Sequence, residues 1–231
     1  MTIKKPKVLA YDLESATPLP NDDWSRMTEC GIGVLGSWSS EEIEPRVWLP
    51  EEGPHVLRDF AVHALEHDVF LTWNGLGYDD KMIHAEFPLW AQVLGQAKRL
   101  DLILVAGLYA IAARKKLDTA EMTAVLEYGV PNGFPKLVGY KPTASLNVMS
   151  GWKLDPTYAA TFDIENSKSM DGAQAPIKWQ AGSRGEVIGY CLGDTKRLLD
   201  LYNHAWDGSP LVNAKGAEAA IPQRVLASRP F

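Results

Sequence analysis

Apolar and polar positions alternate or recur with periods that divide the first ninety residues into strands and helices. Residues 7–15, Lys-Val-Leu-Ala-Tyr-Asp-Leu-Glu-Ser, read as a strand whose apolar half is buried and whose end carries Asp12 and Glu14. Residues 17–27, with two prolines and Asn21-Asp22-Asp23, read as a loop. Two further extended segments, 29–38 and 46–49, predict a meander with the first strand. Between 54 and 67 the apolar positions Val56, Leu57, Phe60, Ala61, Ala64 and Leu65 form a helical stripe. The run 69–73, bounded by Asp68 and Asn74-Gly75, predicts a central strand that delivers Asn74 to the edge occupied by Asp12 and Glu14. A helix over 77–87 follows, with Asp79 and Asp80 in its first turn, where the helix dipole tolerates anions.

Beyond residue 98 the pattern is less even. Residues 100–104 fit a strand or a helix start, and periodicity alone does not separate them. Asp118-Thr-Ala-Glu121 predicts an N-cap with an acidic third position, opening a helix through Leu126. Residues 129–143 predict a Pro/Gly-rich surface loop, 145–152 a short helix, and 155–183 a long polar excursion of the kind that forms lids or substrate-contacting loops. The strongest helix is 184–206, on which Tyr190 and Asp194 fall at i and i+4 and share a face. One domain over 1–206 and a weakly patterned C-terminal tail over 207–231 are the expected organisation.

Composition narrows the class. Of 231 residues, 46% are hydrophobic and 23% charged, which excludes wholesale disorder. A formal net charge of −6 speaks against a broad basic face for coating duplex DNA, although it leaves a local metal-offset site open. Cys30 and Cys191 stand far apart without CxxC or His partners, so a zinc site or disulfide framework is not indicated and both are expected as buried thiols. With no apolar run long enough to span a bilayer and no leader pattern, the expectation is a soluble, intracellular, cytoplasmic protein without membrane contact.

Three short segments carry the candidate chemistry: Asp12-Leu-Glu14, Asn74-x-x-x-Tyr78-Asp79 and Tyr190-x-x-x-Asp194. In a strand, i and i+2 point the same way about 6–7 Å apart, so both carboxylates of the first segment can reach one ion. Hydrolysing a phosphodiester needs an activated water, neutralised phosphate charge and a stabilised leaving oxygen. Two divalent ions roughly 3.5–4 Å apart supply all three. Four carboxylates without histidine or cysteine match Mg2+ or Mn2+.

The three segments resemble motifs I, II and III of the DEDD (DnaQ-like) 3′–5′ exonucleases. Tyr190, four residues before Asp194, places the resemblance in the DEDDy subclass; the histidine subclass needs His at 189, which is Gly. The resemblance spans about residues 7–206. Within the superfamily, residues 184–201 and the polar insert before them look most like stand-alone exonucleases related to the proofreading domains of family B DNA polymerases. It implies an α/β fold with a ribonuclease H-like mixed central β-sheet flanked by α-helices. It further implies that Asp12, Glu14 and Asp194 hold a first metal, that Asp12 bridges to a second bound by Asp79 directly or through water, and that Tyr190 orients the attacking water. Asn74 would contact the terminal nucleotide or fix its loop. Ser15-Ala-Thr-Pro departs from the compact Thr-Gly-type turn usual after motif I.

The expected activity is thus metal-dependent 3′–5′ exonucleolysis of single-stranded nucleic acid ends, DNA favoured, with bases stacked on aromatics such as Trp73 or Tyr78. The alternatives are an RNA 3′-trimming enzyme of the ribonuclease D type and a non-catalytic nucleic-acid-binding module on the same scaffold. A polymerase or replication partner, if proofreading is the role, would be separate, and the residues do not identify one. Other features have plainer readings. Gly31-Ile-Gly33-Val-Leu-Gly36 satisfies G-x-G-x-x-G without the strand-to-helix context of a dinucleotide site, and its glycines predict close backbone approach instead. Asp101 reads as a cap or ion pair, His84 and His204 as surface or packing residues, and Lys136, Lys141, Lys168, Lys178 and Arg184 mainly as solvated bases flanking the excursion.

Overall fold

The computed structural model describes residues 3–116, 118–127, 170–212 and 218–227. A five-stranded sheet organises them, with β1 (Val8–Ser15), β2 (Ile32–Ser39), β3 (Arg46–Trp48), β4 (Val69–Thr72) and β5 (Lys98–Asp101) in the order β3-β2-β1-β4-β5. β1, β2 and β3 form the antiparallel meander, while β4 and β5 run parallel to β1. The helices are α1 (His55–Ala64), α2 (Asp79–Glu86), α3 (Trp90–Leu94), α4 (Leu102–Lys115), α5 (Ala120–Leu126), α6 (Ala175–Gln180), α7 (Arg184–Trp206) and α8 (Gln223–Leu226). A mixed sheet flanked by helices in this order is a ribonuclease H-like α/β fold.

Alternation along β1 divides the core. Leu9, Tyr11 and Leu13 point to the layer containing α1 and α3. There Tyr11, Phe60, Phe70 and Trp90 pack ring on ring, with centroids 5.1–5.9 Å apart. Each such contact adds about 0.5–1.5 kcal/mol to the burial itself. Val8 and Ala10 point to the opposite layer, built from α4, α7 and the C-terminal residues. Asp12 and Glu14 continue that second face past the end of the apolar packing, so one alternation sets both core and acidic edge.

Several expectations change in detail. The loop at 17–27 contains two 3-10 turns, Pro20–Asp22 and Trp24–Cys30, the second opened by the Asp23 carboxylate accepting the Ser25 amide at 2.9 Å. The ambiguous 100–104 run is both things in succession: β5 ends at Asp101 and α4 starts at Leu102. Asp118 caps α5 by accepting the Ala120 amide at 2.9 Å. The expected polar excursion ends in ordered structure, a 3-10 turn at Gly172–Gln174 and then α6, whose Ala175, Pro176 and Trp179 are buried. The predicted loop 129–143 and helix 145–152 lie outside the described residues, as do Lys136, Lys141 and Lys168.

The weakly patterned C-terminal residues contribute short elements to the packing. Leu211–Val212 (β6) pairs antiparallel with Glu218–Ala219 (β7), and Leu211, Ala219, Ile221, Val225 and Leu226 are buried in the α4/α7 core. Tyr202 ties the segment down by donating its hydroxyl to the Leu226 carbonyl at 2.9 Å. Short elements with few apolar residues each give no periodicity to read, yet together they cover a helix face. Among the described residues, no helix is long and apolar enough to cross a membrane.

Candidate metal centre

Close approach of α7 to the sheet builds the site. Asp12 of β1 lies beside Gly36 of β2 in register. A Cβ at Gly36 would stand 3.0 Å from the Cys191 sulfur and 3.1 Å from side-chain atoms of Leu192 and Thr195, so α7 rests where a side chain would otherwise be. Gly33 plays the same part for α6, since its Cβ would meet the Trp179 ring at 3.1 Å. These are two of the three glycines of the apparent dinucleotide motif. The Cys191 thiol, fully buried, donates to the Asp12 carbonyl at 3.3 Å and clasps helix to strand.

That approach carries Asp194 to β1. Asp12, Glu14 and Asp194 each present an oxygen within 4.8 Å of the other two, and the trio can hold a metal ion. Glu14 is 9% and Asp194 3% exposed. Three negative charges so close and so poorly hydrated need a counter-charge. All three donors are hard oxygens, and the neighbouring Cys191 thiol is held protonated by burial, with the carboxylates of Asp12, Glu14 and Asp194 pushing its pKa further up. The donor set is therefore one of hard carboxylate oxygens that could hold a metal ion.

Asp79 stands alongside rather than within the trio. The parallel ladder between β1 and β4 stops at Ala10 and Leu71, which leaves the Leu13 amide without a strand partner. Asp79 Oδ1 accepts that amide at 3.1 Å. Burial first, then the charges of Asp12 and Asp80, raises the Asp79 carboxyl well above the ordinary range. A cation beside Asp12 would reverse that pressure. The adjacent Asp80 faces the other layer, accepting Tyr11 Oη at 2.6 Å, Trp90 Nε1 at 3.1 Å and Arg99 Nη2 at 2.6 Å. This buried hub anchors the first turn of α2, and with it Asp79.

Asn74 adopts φ 68°, a left-handed conformation that asparagine tolerates better than most residues. Its amide and that of Leu76 donate to the two carboxylate oxygens of Asp101 at 2.9 and 3.2 Å. Asp101 is thus the anchor of the loop joining β4 to α2, and burial pushes its carboxyl up to about 6.

Tyr190 is 3% exposed and its hydroxyl hydrogen-bonds the Asp194 carboxylate. Burial, then Asp194, Glu14 and Asp12, drives its pKa far upward. The hydroxyl therefore stays protonated, a donor and orienter rather than a base.

The aromatic residues are redistributed. Trp73 is 6% exposed within the α4/α7 core and offers no face for stacking, contrary to the expectation for it. Tyr78 is half-buried, hydrogen-bonded with the Ser15 side chain and packed edge-on against Trp24 at 6.2 Å. Trp24 is 61% exposed. It was not among the expected site residues, though a tryptophan inside an acidic Pro/Asn/Asp loop, without apolar neighbours to bury it, was a usable signal. Arg197 was missed as well: one helical turn after Asp194, it donates Nη1 to Asp194 Oδ1. Lys178 pairs with Glu186, and Arg184 with Glu51 while lying 5.0 Å over the Trp179 ring. His84 is exposed; His204 is buried and contacts the Pro210 carbonyl at 3.3 Å.

Fold and site together define a ribonuclease H-like α/β protein with an acidic cluster at the carboxyl edge of its first strand. No protein family and no curated protein matches the chain significantly by sequence. Among solved structures it is similar to the family B DNA polymerase of the hyperthermophilic archaeon Pyrobaculum calidifontis, with a TM-score of 0.52 and 15% identity. The likeness covers 88% of this chain and 25% of the polymerase, so the chain spans about a quarter of that protein.

Proposed function

We propose that this chain is a metal-dependent 3′–5′ exonuclease of the DEDDy type acting on single-stranded DNA ends. The observation that carries the reading is the meeting of Asp12, Glu14 and Asp194 oxygens within 4.8 Å beside a buried tyrosine hydroxyl. Similarity in fold to a DNA polymerase supports nucleic acid as the substrate class and DNA over RNA. Asp12, Glu14 and Asp194 would hold one ion, and Asp12 with Asp79 a second. Bound there, two Mg2+ or Mn2+ ions supply an activated water and charge neutralisation at the scissile phosphate.

The protein's own residues would divide the remaining work. Tyr190, protonated and fixed by donating its one hydroxyl proton to Asp194, would offer its oxygen as the acceptor that orients the attacking water. The Asp80 and Asp101 anchors hold the β4–α2 loop so that Asn74, Tyr78 and Asp79 meet the strand end together. Trp24 and Tyr78 offer an aromatic face to a base splayed from the terminus. Incubating the protein with Mg2+ or Mn2+ and 5′-labelled single-stranded DNA tests the reading. Stepwise shortening from the 3′ end that Asp12→Ala abolishes is the expected result. Absence of released nucleotides from the unaltered protein, with either ion, would refute it.

A further inference from the structure

Arg197 already does part of what a metal ion would do. Its Nη1 donates to Asp194 Oδ1, an oxygen of the carboxylate that completes the acidic trio. The side chain is 17% exposed against 3% for Asp194, so the pair is drier than an ordinary surface ion pair. The guanidinium lies back along α7 over Gly193, where an added Cβ would sit 3.8 and 3.9 Å from its two terminal nitrogens. Among the described residues, Lys196 pairs with Asp200, Arg184 with Glu51, Lys178 with Glu186 and Arg99 with Asp80.

We propose that Arg197 is an exchangeable counter-charge: it neutralises and orients Asp194 in the metal-free protein and competes with the first divalent ion for that carboxylate. This rests on the reading of the trio as a metal site. A divalent ion in the trio would bring a second positive charge to the carboxylate that already carries the guanidinium, and their mutual repulsion in a partly dry site is large. The guanidinium therefore opposes loading and is pushed from its contact by the ion, which weakens metal binding. The same contact keeps three clustered carboxylates from destabilising the metal-free fold, because an uncompensated buried charge is costly. Metal and arginine are thus alternative solutions to one electrostatic problem. By linkage, removing the arginine makes the fold depend more on the metal.

Calorimetric titration of MnCl2 into the metal-stripped full chain, with melting followed in EDTA and in Mn2+, tests this on unaltered protein, Arg197→Gln, Arg197→Met and Arg197→Lys. Glutamine and methionine variants should bind Mn2+ on the order of tenfold more tightly. They should also melt lower in EDTA and gain more from Mn2+ than the unaltered protein, while the lysine variant, which keeps the charge, stays close to it. If one neutral variant fails to fold, the other carries the comparison. Equal or weaker Mn2+ binding by the neutral variants, with the unaltered protein binding normally, overturns the counter-charge and leaves the metal site standing. No Mn2+ uptake by any form overturns both.

Discussion

Replacing Gly36 by alanine puts the site's construction to the test without altering a ligand side chain. The added methyl would stand 3.0 Å from the Cys191 sulfur and 3.1 Å from Leu192 Cδ2 and Thr195 Oγ1. Ordinary contact between such atoms begins near 3.5 Å, so about half an ångström must be recovered. Two of the three neighbours are held in place. Cys191 is tied to the Asp12 carbonyl at 3.3 Å, and Thr195 Oγ1 to the Cys191 carbonyl at 2.8 Å. The relief available is translation of α7 away from β2, which carries Asp194 away from Asp12 and Glu14. Overpacking of this kind costs about 1–3 kcal/mol. In a chain of this size, that lowers the melting temperature by roughly 2–4 °C per kcal/mol. The same shift should weaken Mn2+ binding about tenfold, since metal sites tolerate only a few tenths of an ångström of ligand displacement. Melting curves and calorimetric titration measure the two effects. A Gly36→Ala protein that melts and binds Mn2+ as the unaltered one does would refute the claim that the bare strand position admits the helix.

Other perturbations separate the remaining roles. Tyr190→Phe removes only the hydroxyl and should lower kcat roughly a hundredfold while Mn2+ affinity stays near its starting value; an unchanged kcat would strip Tyr190 of its part. Trp24→Ala should raise KM for oligothymidylate by about tenfold with kcat little altered, whereas equal KM values would mean the exposed indole touches no base. Asp101 bears on pH. Its carboxyl is raised from 3.8 to about 6 by burial, so the folded state holds the proton more tightly than the unfolded chain. Its contribution to stability is fully present below about pH 4 and is lost as pH rises through 6, amounting to on the order of 3 kcal/mol. Asp101→Asn should flatten that stretch of the urea-midpoint profile, and parallel profiles for the two proteins would contradict the assignment.

Strand alternation and helix periodicity made the layered framework legible before any coordinates, because they report which face is buried. Residues 7–15 announced both a core strand and an acidic edge, and the structure has a buried strand over Val8–Ser15 with Asp12 and Glu14 in the acidic cluster. Burial of particular aromatics was harder to read. Trp73 ends an apolar run at the mouth of the site, and the core cluster that takes it in includes residues more than one hundred positions away in sequence, Leu198 and Leu199 among them. The C-terminal segment has the same difficulty, since its buried residues are spread singly over Leu211–Val212, Glu218–Ala219 and Gln223–Leu226. Asp79 shows a third limit. Its spacing says that it comes near Asp12, but only the point where the β1–β4 ladder ends decides that its oxygen turns to the Leu13 amide.

Anomalous scattering from crystals soaked in Mn2+ tests the metal centre most directly. The account predicts a peak bounded by Asp12, Glu14 and Asp194, with a second between Asp12 and Asp79. Manganese density absent from that edge of β1, in protein otherwise folded as described, would contradict it.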